Sequence, residues 1–279
     1  MESLPLIVAA AIALVVAPGL LTALAENGRV HANYRGAELP FPGGSAIVAS
    51  AALALGPLAF LAEVADADVF VEPTLRTVAV YALGVAFLGL LDDTLGGAAR
   101  GWRGHGAAVL SGAISTGALK AAGSLGLALY ALSGLGLSVA DYLLAVALLV
   151  LTTNLFNLLD LRPGRTGKAF VLLGAGITVA TLDVQPLWAL GLFAGPVVVL
   201  AFFDLRERTM LGDTGSNLIG ALAGLWMVLA MGTLAQAIAL AVVIGITVYG
   251  EFRSISSLIE SAPLLRQLDS LGRPHHPHA

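Results

Sequence analysis

The sequence predicts an all-α, polytopic transmembrane helical bundle of about nine spans. Three observations carry that prediction: charge is scarce, apolar residues run in helix-length blocks, and the blocks are continuous rather than alternating with polar residues. Charged residues make up 11% of the 279 and hydrophobic residues 58%, against about 25% and 45–50% in soluble domains. So few charges cannot cover a water-facing surface. The uncharged blocks run about 14 to 23 residues, where a helix needs about 17–25 to cross about 30 Å of hydrocarbon, so the shortest are marginal. Continuous runs also exclude a β-barrel, whose strands alternate.

In chain order the predicted spans are residues 4–24, 44–61, 75–91, 118–137, 142–158, 169–182, 187–203, 216–232 and 234–249. The first is preceded by Glu2 and by no Lys or Arg, and no small-residue cleavage site follows it. It therefore reads as a retained span and not as a signal peptide. An acidic loop with Glu63, Asp66, Asp68 and Glu72 separates the second span from the third, which ends at Asp92 and Asp93. Residues 106–119 are apolar and rich in Gly, Ala and Ser. Counting them as a span would flip every later loop and put the eight basic residues from Arg162 onward outside. They are expected instead as an interfacial or re-entrant helix covered by protein.

Lys120 stands at the mouth of the fourth span, Asn154 and Asn157 at the end of the fifth, and Arg162, Arg165 and Lys168 ahead of the sixth. Loops after odd-numbered spans hold 13 of the 14 basic residues, with only Arg76 on the other side. By the positive-inside rule the N-terminus is expected outside and the C-terminus in the cytoplasm, for a multi-pass protein of the cell membrane. No internal repeat or linker divides the chain, so residues 1–252 are expected as one domain followed by a tail, 253–279. In the tail Ile255, Leu258, Ile259, Leu264, Leu265, Leu268 and Leu271 recur at near-helical spacing, interrupted at Pro263. That pattern predicts an amphipathic helix pair lying on the membrane. The 33 glycines suit close helix packing in lipid.

Cysteine is absent, which excludes a disulfide framework, a thiolate zinc site and a catalytic thiol. The formal charge of −4 argues against a nucleic-acid partner. What remains is a set of acids on the basic side: Asp92 and Asp93, Asp160 after Asn154 and Asn157, and Asp213 in Gly212-Asp213-Thr214-Gly215-Ser216. A single aspartate at a helix end is commonly a solvated or capping residue, and Thr214 or Ser216 could simply cap the eighth span. Three acid motifs on one face at membrane depth point instead to a site. Carboxylate and amide oxygens are what Mg²⁺ prefers, with Mn²⁺ the alternative. Asn154, Asn157 and Asp160 recur at i, i+3 and i+6, so a continued helix would align them along one side. Lys120 suits a diphosphate oxygen, and Arg162 and Arg165 could grip phosphate bidentately.

These segments resemble the polyprenyl-phosphate N-acetylhexosamine-1-phosphate transferases, and the resemblance covers nearly the whole chain. It rests on residues 33–44, which end Leu39-Pro40-Phe41-Pro42-Gly43-Gly44, then Leu91-Asp92-Asp93, Lys120, Asn154 through Asp160, and Gly212 through Ser216. It implies that polyprenyl phosphate attacks the sugar-linked phosphorus of a UDP-amino-sugar at the cytoplasmic face, giving a polyprenyl-diphospho-sugar and UMP. It further implies Asp92 and Asp93 as the catalytic pair, and Asp213 with Asn157 as Mg²⁺ ligands. Lys120 would bind the diphosphate, Asn154 and Asp160 the donor, and Gly43 and Gly44 would fall at the substrate site. A homodimer is the assembly it suggests. The chain departs from the family at Leu161-Arg162-Pro163-Gly164-Arg165, where a Gly-rich Asp-Gly segment is usual, and at Thr94-Leu95-Gly96. Two other readings compete: a transporter of an ion or phosphorylated solute, and a non-catalytic binder of a lipid-linked precursor.

Overall fold

The computed structural model describes residues 1–71, 74–95 and 115–274, and its long helices follow the apolar blocks. They are α1 (Leu4–Glu26), α2 (Ser45–Ala65), α3 (Thr74–Leu95), α4 (Thr116–Leu132), α5 (Val139–Leu159), α6 (Arg165–Thr181), α7 (Gln185–Leu205), α8 (Gly212–Ala230) and α9 (Thr233–Phe252). A two-stranded antiparallel hairpin, β1 (Val30–Ala32) and β2 (Glu38–Pro40), joins α1 to α2, with His31 opposite Leu39. Two short helices, α10 (Ile255–Ser261) and α11 (Pro263–Ser270), follow α9. Among the described residues six helices, α1, α2, α3, α5, α7 and α9, are long and apolar enough to cross a membrane. With α4 and α6 at 17 residues each, a rise of about 1.5 Å per residue gives about 25 Å.

The helix boundaries differ from the apolar blocks where polar groups decide them. α4 begins at Thr116 because the Ser115 hydroxyl accepts the Ala118 N–H. Residues 115–119 thus cap and open α4, and the rest of the expected interfacial helix, 106–114, lies outside the described residues. α4 also stops at Leu132 and not at residue 137, since Gly134 and Gly136 take positive φ. α8 starts at Gly212, four residues before the apolar block, for a reason given below.

α8 is the central helix, buried without interruption from Thr214 to Met227. Helices α3, α5, α6 and α7 pack around it. Glycine permits the closest approaches: a Cβ at Gly220 would meet the α5 backbone at Thr153, and one at Gly224 would meet Leu149. α1 lays Ala9, Ala13 and Ala17, one helix face, toward the core, and Gly191 and Gly195 of α7 receive its Leu6. The lipid-sized outer surface is apolar, with Leu14, Val15, Phe60 and Phe87 exposed. Apolar exposure on that scale fits a lipid surrounding and not water.

Successive helices run in alternate directions, so their ends fall into two groups. At one end Arg76 donates to the Tyr130 hydroxyl (2.9 Å), and Asp141 accepts from Thr233 (2.8 Å). The other end gathers the hairpin, the last turns of α1, α3, α5, α7 and α9, and the first turns of α2, α4, α6 and α8.

Candidate active site

The site begins with how α8 starts. Gly212 has a φ of 70°, and a Cβ there would meet Asp93 Oδ2 at 2.8 Å and Pro42 at 2.9 Å. The chain can therefore turn sharply into the helix only at glycine. The exposed amides of the first turn are then satisfied from another helix. Asp93, near the end of α3, accepts from the N–H groups of Asp213 and Thr214 (2.9 Å each) and from the Thr214 hydroxyl (2.6 Å). A carboxylate at a helix N-terminus also opposes the positive end of the dipole. The cap is thus Asp93, and neither Thr214 nor Ser216 serves as one.

Because neighbouring residues on a helix point about 100° apart, Asp92 faces elsewhere. It meets Lys120 of α4, whose Nζ lies 3.0 Å from Asp92 Oδ2 and also binds Asp213 Oδ2. Asn157 of α5 donates to Asp213 Oδ2 (3.2 Å), and Ser216 donates to Asn157 Oδ1 (2.9 Å). Four helices, α3, α4, α5 and α8, therefore bring Asp92, Lys120, Asn157 and Asp213 into a single cluster. It opens on a cavity of about 1130 Å³ lined by Asp92, Asp93, Lys120, Asn154, Asn157 and Asp213.

Arg29, His31, Phe41 and Glu251 also line the cavity. No sequence motif marks His31, a residue of β1. Pairing of the hairpin brings it to the cavity, with ring centroids 5.1 Å from Phe41. The one local signal for that is the Asn33-Tyr34-Arg35-Gly36 turn between two short runs.

Gly43 and Gly44 do not line the cavity. Their N–H groups donate to the carbonyls of Met210 (2.7 Å) and Leu211 (2.9 Å), and a Cβ on Gly44 would strike the Gly215 backbone. They seat the hairpin beneath the turn that leads into α8. Asn33, which donates to Glu207 (3.2 Å), and Arg35, whose Nη2 lies 3.4 Å from the same carboxylate, fasten the hairpin from the other side.

Asp160, Arg162 and Arg165 also stand outside the cavity wall. α5 ends at Leu159, so the expected i, i+6 alignment of Asp160 with Asn154 is broken. Asp160 turns inward and accepts from the Thr166 hydroxyl (3.1 Å). Burial first, and then the charge of Asp204, push its pKa well above the ordinary carboxylate range. Arg162 stacks over Tyr34 at 4.3 Å and lies 3.5 Å from Glu260. Arg165, 5% exposed, forks onto Asp269 with bonds of 2.9 and 3.1 Å.

Among the described residues no group of three His, Cys, Asp or Glu side chains is arranged to hold a metal on its own. The cluster nevertheless suits a hard cation completed by substrate oxygens. Asp92 and Asp213 already converge on one cation, the Lys120 ammonium. Asn157 adds an amide whose oxygen would face Asp213 after a half-turn, a turn the Ser216 hydroxyl tolerates because it can donate or accept.

The fold and the cavity define a class: a helical membrane bundle with a charged, water-accessible pocket at one end. No family model matches the chain, and no curated protein matches it.

Proposed function

We propose that this protein is a Mg²⁺-dependent transferase that moves a phospho-sugar from a UDP-amino-sugar to polyprenyl phosphate at the cytoplasmic face of the cell membrane. The observation that carries the reading is the convergence of Asp92, Lys120, Asn157 and Asp213 from four helices on one large cavity at the bundle end. The sequence resemblance names the same four residues. In this reading the nine long helices are all spans, the N-terminus is outside, and the basic loops at the cavity end face the cytoplasm.

Phosphoryl transfer needs positioning and charge neutralisation more than covalent help. Lys120, now shared by two carboxylates, binds a diphosphate oxygen of the donor. Asp92, which faces the cavity, takes the proton of the lipid phosphate. Asp93 holds the α8 N-terminus and so fixes Asp213, and is a positioning residue. Asp213 and Asn157, with Asp92 beside them, would hold Mg²⁺, which supplies neutralisation of the diphosphate; Mn²⁺ substitutes. An oxygen of the lipid phosphate bonds to the sugar-linked phosphorus as the bond from that phosphorus to the UMP oxygen breaks, and UMP leaves with the electron pair. The apolar side of the cavity, at Leu24, Leu90 and Leu158, receives the start of the prenyl chain.

A transporter would place such groups near the bilayer midplane on broken helices; here they cluster at helix ends. The test is purified protein with polyprenyl phosphate, Mg²⁺ and a panel of UDP-amino-sugars, scored for UMP. Release that stops with EDTA supports the transferase. No release with any donor leaves the transporter or the non-catalytic binder.

A further inference from the structure

Helix α11 wears its amphipathicity in an unusual direction. At about 100° per residue, Leu264, Leu268 and Leu271 fall on one stripe with Leu265 at its flank, Arg266, Gln267 and Ser270 fall on a second, and Asp269 faces a third way. Leu264 is 68% exposed and Leu271 67%, whereas the Asp269 side chain is 10% exposed. The helix thus turns its carboxylate to the protein and its leucines away. A helix packed on a water-soluble protein does the reverse.

The protein-facing side is fastened by charge. Asp269 accepts both arms of Arg165 and also Arg273 Nη2 (2.8 Å). Arg165 further donates to Ser256 (3.0 Å) and Arg273 to the Pro163 carbonyl (2.8 Å). Lys168 closes the helix C-terminus by donating to the carbonyls of Leu268 (3.0 Å), Asp269 and Leu271 (3.2 Å). So held, the helix cannot roll to bury its leucines against the bundle.

Position along the chain says what covers them. α9 is long and apolar enough to cross a membrane and ends at Phe252, α10 begins at Ile255, and α11 at Pro263. Ile255 packs back on Gly250 of α9. α11 is thereby held at the level where α9 leaves the bilayer. A stripe of four leucines also falls well short of the roughly 1,200–2,000 Å² of a stable protein interface.

We infer that α11 is seated in lipid: Leu264, Leu268 and Leu271 enter the boundary between headgroups and acyl chains, Asp269 latches the helix to Arg165, and Arg266, Gln267 and Ser270 meet water. The latch ties the first turn of α6, just after the 160–164 turn that follows the Asn157-bearing end of α5, to the membrane surface. The inference rests on the tail and the residues that anchor it, and stands whether or not the cavity is a transferase site.

The chain lacks cysteine, so Leu264→Cys, Leu271→Cys, Gln267→Cys and Ser270→Cys each give one labelling position on an exposed side chain. The full protein is placed in phosphatidylethanolamine–phosphatidylglycerol nanodiscs, labelled with bimane, and quenched with doxyl lipids or with iodide. Labels at 264 and 271 are expected to be quenched by the lipid nitroxide and to show several-fold weaker iodide quenching than labels at 267 and 270. Equal iodide quenching at all four positions overturns the inference. Protection from iodide without nitroxide quenching overturns it too, and loss of that protection at one chain per disc identifies a second copy as the occupant.

Discussion

Two charged clusters occupy the same end of the bundle, and they are built on opposite plans. At the cavity two carboxylates, Asp92 and Asp213, share one ammonium, Lys120, and a third, Asp93, lines the same wall. At the latch Arg165, Arg273 and Lys168 converge on Asp269 and on the carbonyls of a helix end. The first is short of positive charge and opens on a cavity; the second is filled by its own chain. An unbalanced cluster beside open space is where a divalent cation and an anionic substrate can be taken up. A cluster whose cations are met by acceptors of the same chain holds a fold together.

That contrast yields ordered expectations. The largest concerns the cavity: Asp213→Asn removes the proposed cation ligand and should lower UMP release by about 10²–10³-fold, the cost of losing one strong electrostatic contact in a transition state. Its melting temperature should hold, and a large fall in melting would turn Asp213 into a structural residue. Asp92→Asn should behave likewise. Asp93→Ala should differ from Asp92→Ala by losing the α8 cap, worth about 0.5–2 kcal/mol, so that melting falls together with activity. Equal melting of the two variants would erase the division of labour drawn between them.

Next is Gly44→Ala. The added methyl meets backbone, not a flexible side chain, and overpacking of this kind costs about 1–3 kcal/mol. A thermal-shift assay reads it. Catalysis per folded molecule should change little if Gly44 supports the turn and does not contact substrate.

The smallest effect lies at the latch and depends on pH. Burial alone would raise the Asp269 pKa, but the hydrogen bonds and charges of Arg165 and Arg273 outweigh it and hold the carboxyl below the usual range. A group with a depressed folded pKa contributes stability that is fully present above its unfolded value, about 3.9, and is lost as pH falls through the folded value. Amide exchange in residues 255–270 should therefore be constant from neutral pH down to about pH 4 after correction for intrinsic rates, and rise below it. In Asp269→Asn that step should be absent, with exchange fast throughout.

Much of this architecture was legible from the chain. Among the described residues the apolar blocks matched the nine long helices, because a helix that faces lipid must be continuously apolar, and polar residues at helix mouths singled out Asp92, Asn157 and Asp213, which line one cavity. What was not legible is how neighbouring polar residues divide their tasks. Asp92 and Asp93 look alike as a pair, and only the position of α8 decides that one caps while the other faces the cavity. Arg162 and Arg165 read as phosphate-binding residues, but their partners, Glu260 and Asp269, lie about a hundred residues away in sequence. Gly43 and Gly44 read as substrate-site glycines, yet the backbone they approach belongs to the turn before α8. Each of these assignments depends on a contact between distant segments, and periodicity carries no information about those.

Binding of Mn²⁺ to purified protein, read by electron paramagnetic resonance with a UDP-amino-sugar present, tests the central claim most directly. One Mn²⁺ per chain is expected, lost in Asp213→Asn and retained in Asp269→Asn. Undiminished binding in Asp213→Asn, or UMP release that continues without any bound cation, would contradict the assignment of the four-helix cluster as the active site.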